Sequence, residues 1–369
     1  MQDGMLPLAR VVVGAILALG LGACRKASVA AAAGDSPDAA SAAAVPAASP
    51  PRGDDRAPLR IAYSDWPGWV AWDIAVRKNY FKEEGVDVSF VWLEYVPSME
   101  AFSDGKVDAV CMTNGDALVV GSSGAPSVGV VLNDYSNGND MIVARAGFEK
   151  MQDLRGKKIG VEVGFVDHLL LMQALQAAKM TESDVDIVNT KTHETPEALK
   201  SGNVSAIAAW QPNSGYALEQ VPGSKPIFTS SNVPGLIYDL LFVSRSSLER
   251  RRADWKKVVK VWFRVAAFVN DPSHRHEAAE IMGATTKMTS DKYEKLMDGT
   301  RFLGAAENKR RLSPTPGLDS VQGSSHIVDQ FNVANHVYKD SIAVEPFFDP
   351  TLVDEVLAEK RPGDPPPTR

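Results

Sequence analysis

Six acidic side chains lie at or beside turns that follow short apolar runs of the sequence. They are Asp65, Asp116, Asp140, Glu162, Asp167 and Asp239. None of these turns carries a Lys or an Arg. Carboxylates accept hydrogen bonds from N–H groups, whereas a site for a sulfonate or nitrate usually uses an Arg fork. The pattern favours binding of a small cation, or of a planar N–H donor such as urea or a guanidinium.

The same turns supply aromatic and amide side chains that suit such a partner, because an aromatic face attracts a cation. They are the rings of Trp66, Trp69, Phe165, Trp210 and Tyr238, and the amides of Asn114, Asn139 and Gln211. A purely structural role remains an alternative to ligand binding for several of these residues. Asp116 and Asp167 are equally suited to capping helices, and the three amides to forming turns. Trp66 and Trp210 are equally suited to a core, where we also expect Trp72 and Trp262.

The stretch from Lys157 to Leu175 indicates how the chain positions these residues. Ile159 and Val161 alternate with small or polar residues, which predicts a short strand. Gly164 permits a sharp turn, and Asp167 then stands where the N-cap of an apolar helix belongs. Ligands of open α/β sheets gather at the carboxyl ends of strands. This construction therefore brings the acidic turns to one edge of a sheet.

Short apolar runs alternate with helical patterns along the rest of the chain. They predict strands at residues 59–63, 86–91, 109–112, 127–132, 141–144, 159–163, 185–188, 206–209 and 236–243. The alternation predicts the α/β class with a mostly parallel, doubly wound sheet. Beyond Ser244 the pattern turns helical.

The chain begins one series of strands and helices, then forms a second series, and afterwards returns to complete the first. This arrangement predicts two lobes, each a doubly wound sheet, joined by two crossover strands, with a ligand cleft between the lobes. We assign 58–140 and 244–348 to lobe 1, 145–236 to lobe 2, 141–144 and 237–243 to the hinge strands, and 349–369 to a C-terminal tail.

The first residues carry targeting information. An apolar run follows Arg10 and is too short to span a bilayer but typical of a signal peptide, which we place at residues 1–23. It ends Leu-Gly-Ala-Cys at Cys24, which resembles a bacterial lipobox, so Cys24 is the predicted lipidation site. Residues 24–57 are rich in Ala, Pro and Ser, and this composition predicts a disordered tether. The protein would then lie in the periplasm or on the outer face of the cell membrane, held by its lipid anchor.

Composition excludes several classes of protein. The 369 residues carry a net charge of −7 with no basic block, which argues against nucleic acid as a partner. Beyond Cys24 the only cysteine is Cys111, which we expect in the core. His274 and His276 are two residues apart and do not share a helical face, so we predict no metal. We identify no catalytic residue and no cofactor site.

Three sequence runs carry a resemblance to a known family. They are residues 80–88 (YFKEEGVDV), 105–109 (GKVDA) and 153–161 (DLRGKKIGV). Together they resemble the nitrate/sulfonate/taurine branch of the type II periplasmic solute-binding proteins of ABC transporters. Residues 65–69, 133–140 and 164–168 are similar to a subgroup found beside urea-carboxylase genes. Asp167 stands where the sulfonate-type branch places a small hydroxyl residue.

The resemblance implies a monomer that captures a small-molecule solute, closes around it, and delivers it to an ABC permease and ATPase complex without performing chemistry. The alternative within the family is a binder of sulfonate, taurine or nitrate. Thiamin-pyrimidine synthases share this fold but need a reactive Lys or His and a Cys-rich motif. A lipoprotein that presents its ligand to a signalling receptor is the remaining alternative.

Overall fold

The structure is a computed structural model that describes residues 57–359. The signal peptide, Cys24, nearly all of the tether and the last ten residues of the tail lie outside this range. The strands within it are β1 Leu59–Tyr63, β2 Val88–Trp92, β3 Ala109–Thr113, β4 Ser127–Ser136, β5 Asp140–Ala144, β6 Lys158–Val161, β7 Asp186–Asn189, β8 Ala206–Trp210, β9 Lys225–Thr229, β10 Tyr238–Ser244 and β11 Thr300–Phe302.

Helices cover both faces of the sheets. They are α1 Pro67–Val70, α2 Trp72–Arg77, α3 Tyr80–Glu83, α4 Tyr95–Ser103, α5 Asn114–Ser122, α6 Val166–Ala177, α7 Thr195–Lys200, α8 Asn213–Gln220, α9 Arg245–Arg250, α10 Arg252–Asn270, α11 Arg275–Thr286, α12 Ser290–Met297, α13 Ala305–Leu312, α14 Val321–Ala334 and α15 Thr351–Ala358. Among residues 57–359, no helix is both long enough and apolar enough to cross a membrane.

The strands form two sheets, and the predicted α/β class is confirmed. The first lobe is built on a six-stranded sheet in the order β11-β4-β10-β3-β1-β2, and the second lobe on a five-stranded sheet in the order β7-β6-β8-β5-β9. Both sheets are mixed, so the prediction of mostly parallel sheets is wrong. The strands β5 and β10 run antiparallel to both of their neighbours, because each enters its sheet from the other sheet.

The strands that we predict as hinges each belong to a single sheet. The chain leaves the first sheet after Ser136 and joins the second at Asp140, and it leaves the second after Thr229 and returns at Tyr238. The segments that pass between the sheets are therefore 137–139 and 230–237, immediately before β5 and β10.

Two departures from the sequence prediction lie in the last third of the chain. Residues 300–302 form the edge strand β11 against the end of β4, where we predict only helices. Residues 351–358, which we assign to the tail, form α15, in which Leu352 and Val353 are fully buried. Arg252 holds the start of this helix by donating to Thr351 Oγ1 at 2.6 Å.

Large aromatic side chains fill the core of the first lobe. Trp72 and Trp262 are fully buried with ring centroids 4.8 Å apart, and Cys111 is also fully buried, so all three core predictions are confirmed. The second lobe has a smaller cluster of apolar residues on each face of its sheet. These two packed sheets fix the strand ends from which the candidate site is built.

Candidate functional site

Five fully or almost fully buried aspartates meet where the carboxyl ends of the first-lobe strands face the second lobe. We call them the carboxylate cluster: Asp116, Asp134, Asp140, Asp167 and Asp239, each at most 2% exposed. Burial without a cation disfavours the ionised form of a carboxyl group and raises its pKa. The charges that raise one another's pKa values within this group confirm that its members lie close together.

Asp134 and Asp239 form the centre of the carboxylate cluster. They lie opposite each other in the register of β4 and β10, and each carboxyl group shifts the pKa of the other. Trp66 Nε1 donates to Asp134 Oδ1 at 3.0 Å. Burial raises the pKa of Asp134 to about 8, and burial followed by the charge of Asp134 raises the pKa of Asp239 well above its ordinary value. At neutral pH this pair therefore retains a proton.

A glycine makes room for this pair. Gly68 in α1 lies so close to Asp134 that an added Cβ would come within 1.6 Å of Oδ2. The sequence prediction missed Asp134, because it ended the strand at Leu132. The strand β4 continues to Ser136 and so carries Asp134 into the cleft.

Asp116 connects the two lobes. Tyr95 in α4 donates its hydroxyl to Asp116 Oδ2 at 2.6 Å, and Asp116 lines a cavity together with Val166 of α6. Burial raises the pKa of Asp116 to about 7. The alternative role of Asp116 as a helix cap is wrong, since Thr113 is the N-cap of α5 and its Oγ1 accepts from the backbone N–H of Asp116.

Asp140 and Asp167 have carboxylate oxygens without partners among the described residues, and of the two only Asp140 lines a cavity of the cleft. Within the described residues, Asp140 Oδ2 and both oxygens of Asp167 have no hydrogen-bond partner. Burial, followed by the charges of Asp140, Glu162 and Asp116, raises the pKa of Asp167 well above its ordinary value, and burial raises that of Asp140 to about 7. The predicted capping role of Asp167 is wrong, because Phe165 is the N-cap residue of α6 and Asp167 follows in the first turn.

Aromatic rings form one wall of the cleft. Trp69 stacks on Tyr95 with centroids 5.1 Å apart, and Tyr95 meets the edge of Trp210 at 5.2 Å. Trp66 packs edge-on against Trp69. The indole N–H of Trp69 is buried without a partner. Tyr95 is a second residue that the sequence prediction missed. It opens α4 after a two-residue connection from β2, and its partner Asp116 is 21 residues away.

The two remaining predicted carboxylates lie at the rim. Asp65 is partly buried and accepts from Trp210 Nε1 and Asn213 Nδ2, both at 3.3 Å, so it links the lobes. Burial raises its pKa to about 6. Glu162 is also partly buried and accepts from the backbone N–H and the hydroxyl of Thr192 at 3.2 and 3.0 Å.

Three predicted residues are structural. The amide of Asn114 is fully engaged with Tyr238, Ser324 and Ser325, and that of Asn139 donates to Leu296 and Thr300. Tyr238 points away from the cleft, where its hydroxyl donates to Leu318 O and accepts from Arg311.

Phe165 and Gln211 complete the predicted set. The ring of Phe165 lines a cavity beside the carboxylate cluster. Gln211 is 8% exposed, and its side-chain oxygen is buried without a partner among the described residues. Phe165 therefore lies beside the cleft, whereas Gln211 lines neither cavity.

Two narrow cavities mark the space between the lobes. The first is lined by Trp66, Trp69, Tyr95, Thr113, Asp140, Val166, Trp210, Ile237 and Asp239. The second is lined by Thr113, Asn114, Gly115, Asp116, Gly164, Phe165, Val166, Leu169, Leu236, Ile237, Val328 and Asn332. Neither lining contains Lys, Arg, His or Cys. Over residues 57–359, no group of three or more His, Cys, Asp or Glu side chains is placed to hold a metal ion.

Comparison with known proteins gives one family and a set of related folds. The NMT1-like family matches residues 52–283. A candidate binding protein of Brucella abortus (strain 2308) is 29% identical over 197 residues, which cover 53% of this chain and 61% of that protein. The match thus spans less than two thirds of the relative's length.

Solved structures share the fold. The periplasmic aliphatic sulphonate binding protein of Escherichia coli has a TM-score of 0.65 at 18% identity, covering 84% of this chain and 96% of that one. The desulfurization enzyme DSZB has a TM-score of 0.59 at 14% identity, covering 81% and 99%. The fold is therefore that of the type II periplasmic binding proteins, and it is one that an enzyme also uses.

Proposed function

Because this chain belongs to the NMT1-like family, we propose that it is the extracytoplasmic solute-binding protein of an ABC importer, with a small nitrogen-containing solute as its ligand. The solute would be a guanidinium, an amine-like cation or urea. The single observation that carries this ligand class is the carboxylate cluster, whose free oxygens face an aromatic wall with no basic side chain in the cavity linings.

The charge of the site supports a cation over an anion. Asp140 and Asp239 each turn a free carboxylate oxygen into the first cavity. A sulfonate or nitrate placed there would meet acceptor oxygens and no basic side chain, whereas a guanidinium would donate to the carboxylates and lie against the indole faces. The same argument disfavours the alternative of a sulfonate, taurine or nitrate binder. It agrees with the resemblance to the urea-carboxylase-associated subgroup.

An enzyme is the less favoured class. The reaction of a thiamin-pyrimidine synthase needs a reactive Lys or His, and none lines either cavity of the described residues. Cys111 is fully buried in the core of the first lobe. The site is therefore better suited to holding a solute than to transforming it.

The test of the ligand class is calorimetric titration with guanidinium, methylammonium, urea, taurine and nitrate. We expect guanidinium or an amine-like cation to bind most tightly and to raise the melting temperature by linkage. Tighter binding of taurine or nitrate than of any cation or urea would overturn the proposed ligand class.

The anchor is a separate part of the proposal and concerns residues outside the described range. Cys24 follows Leu-Gly-Ala in the lipobox pattern, and lipidation there would hold the protein on a membrane facing the periplasm or the cell exterior. We predict that Cys24→Ser moves the protein from the membrane fraction to the soluble fraction. A variant that stays with membranes in the absence of detergent would contradict the lipoprotein assignment.

The partners follow from the same proposal. A monomer would deliver the solute to an ABC permease and its ATPase, and a sensor lipoprotein would present it to a signalling receptor instead. Reconstituted transport distinguishes the two roles: a solute-dependent increase in ATP hydrolysis by the permease complex is expected for an importer.

A further inference from the structure

The two cavities of the cleft are neighbours, because Thr113, Val166 and Ile237 line both of them. A substituent on a ligand in the first cavity therefore has only these side chains to pass to reach the second. The two cavities differ in chemistry, and this difference bears on which ligand fits them.

The first cavity has polar groups that still need partners. Asp140 Oδ2, Asp239 Oδ2 and Trp69 Nε1 are all buried, line this cavity and have no hydrogen-bond partner in the described part of the chain. Asp140 and Asp239 are 2% and 1% exposed. Unsatisfied groups at this depth are costly, so a ligand that supplies donors to the two carboxylates is strongly favoured here.

The polar groups of the second cavity are already satisfied. Asp116 accepts from Tyr95, the amide of Asn114 is fully engaged, and Asn332 Nδ2 donates to the hydroxyl of Tyr338. The rest of the lining is mainly apolar, with Phe165, Leu169, Leu236 and Val328 joining the shared Val166 and Ile237. The lining of this cavity therefore offers mainly contact to hydrocarbon.

We infer that the ligand is a cation with an aliphatic substituent, an alkylguanidinium or alkylamidinium, rather than the bare headgroup. The planar cationic group would lie in the first cavity against Asp140, Asp239 and the indoles. The alkyl chain would lie in the second cavity between Phe165, Leu169 and Val328. This inference rests on the proposed function and narrows its substrate class.

The test is calorimetric titration with guanidinium and its methyl, ethyl, propyl and butyl derivatives. Burying one methylene contributes about 0.8 kcal/mol, which corresponds to about fourfold in affinity. We expect affinity to rise by about that factor with each added methylene until the second cavity is full. If guanidinium binds and the derivatives bind equally or more weakly, the inference is overturned while the proposed function stands. If no member of the series binds and taurine or nitrate does, the proposed function itself fails.

Variants of Val328, in α14, test where the alkyl chain of the ligand lies. Val328→Ala removes apolar lining from the second cavity, so the gain per methylene should shrink. Val328→Leu fills the cavity by one methylene, so the preferred chain should become shorter by one carbon. Val321→Ala is the matched control, because Val321 is buried in the same helix but lines neither cavity. A melting curve for each variant establishes that it folds. An unchanged dependence on chain length in both Val328 variants would overturn the inference.

Discussion

Asp167 is the residue whose chemistry most sharply separates a ligand contact from a structural role. It is 1% exposed, and neither of its oxygens has a partner among the described residues. A buried carboxyl group without a partner destabilises the fold in either protonation state, so a stability role would not preserve it. Asp167 lies in the first turn of α6, where the charges of Asp140 and Asp116 help to raise its pKa.

We predict that Asp167→Asn weakens guanidinium binding by about tenfold or more while leaving the ligand-free protein as stable as the parent or more stable. Each charge-assisted hydrogen bond contributes about 1.5–3 kcal/mol, which accounts for the loss of affinity. Removing a buried carboxyl group that lacks partners accounts for the unchanged or higher melting temperature. Calorimetry and thermal unfolding on the same preparation measure both quantities.

Asp108→Asn is the matched control. Asp108 lies just before β3, at the opposite end of the strand from the cleft, and accepts from the backbone N–H of Arg60 and from Ser247 Oγ, both at 3.0 Å. Its substitution should lower the melting temperature and leave affinity unchanged. Asp167 is structural if Asp167→Asn behaves like this control, that is, if it lowers the melting temperature and leaves the affinity for guanidinium unchanged.

At the scale of elements, Asn114 connects three of them. Its side-chain oxygen accepts from the backbone N–H of Tyr238 in β10 at 3.0 Å, and its nitrogen donates to Ser324 and Ser325 in α14. Asn114 itself begins α5. A side chain that the sequence places at a turn thus serves to fix a strand and a distant helix against each other.

We predict that Asn114→Ala lowers the free energy of unfolding by about 1–3 kcal/mol, because buried donors and acceptors lose their partners. Asn335→Ala is the comparison, since Asn335 makes a single local hydrogen bond to Phe331 O at the end of α14 and should contribute less. Denaturant unfolding of both variants checks the order. Equal stability of Asn114→Ala and the parent protein would show that the connection is dispensable.

Local patterns predict much of this architecture, and the errors have a common cause. The strands β1 and β6 follow from short apolar alternation, and the acidic turns after strands do meet at one site. Asp134 was missed because β4 is longer than its apolar run, and Tyr95 because its hydrogen-bond partner Asp116 is 21 residues away. Tyr238 was misassigned because its distant partner Arg311, 73 residues away, decides where its side chain points.

At the scale of the whole described chain, the two lobes are closed on each other. Val166, Leu169 and Trp210 of the second lobe pack into the core of the first. Lys292 in α12 also pairs with Glu219 in α8 at 3.0 Å. The carboxylate cluster opposes this closure when no cation is present, because closing buries its charges.

We predict that the ligand-free protein populates an open form and that a saturating cation closes it, as binding proteins with a hinged cleft do. The radius of gyration from small-angle X-ray scattering should therefore fall when guanidinium is added. Taurine at the same concentration is the control and should leave the curve unchanged. Identical scattering with and without a cation that calorimetry shows to be bound would contradict the hinge.

The carboxylate cluster also gives the whole protein a distinctive dependence on pH. Burial raises the pKa of Asp116 and Asp140 to about 7 and that of Asp134 to about 8, whereas an unfolded Asp titrates near about 3.9. At pH values between the pKa of an unfolded Asp and the raised pKa values of the folded state, the folded protein binds more protons than the unfolded chain. The free energy of unfolding must then fall as pH rises through this window.

We therefore predict that the melting temperature of the ligand-free protein falls between about pH 5 and pH 8, and that a bound cation reverses much of this fall. A cation favours the ionised carboxylates, so its binding releases protons and its affinity rises with pH over the same range. Neutral urea should show a weak dependence, and an anion the opposite slope. Calorimetry in two buffers with different ionisation enthalpies counts the protons released. Uptake of protons on guanidinium binding, or an affinity that falls as pH rises, would show that these carboxylates do not face the cation.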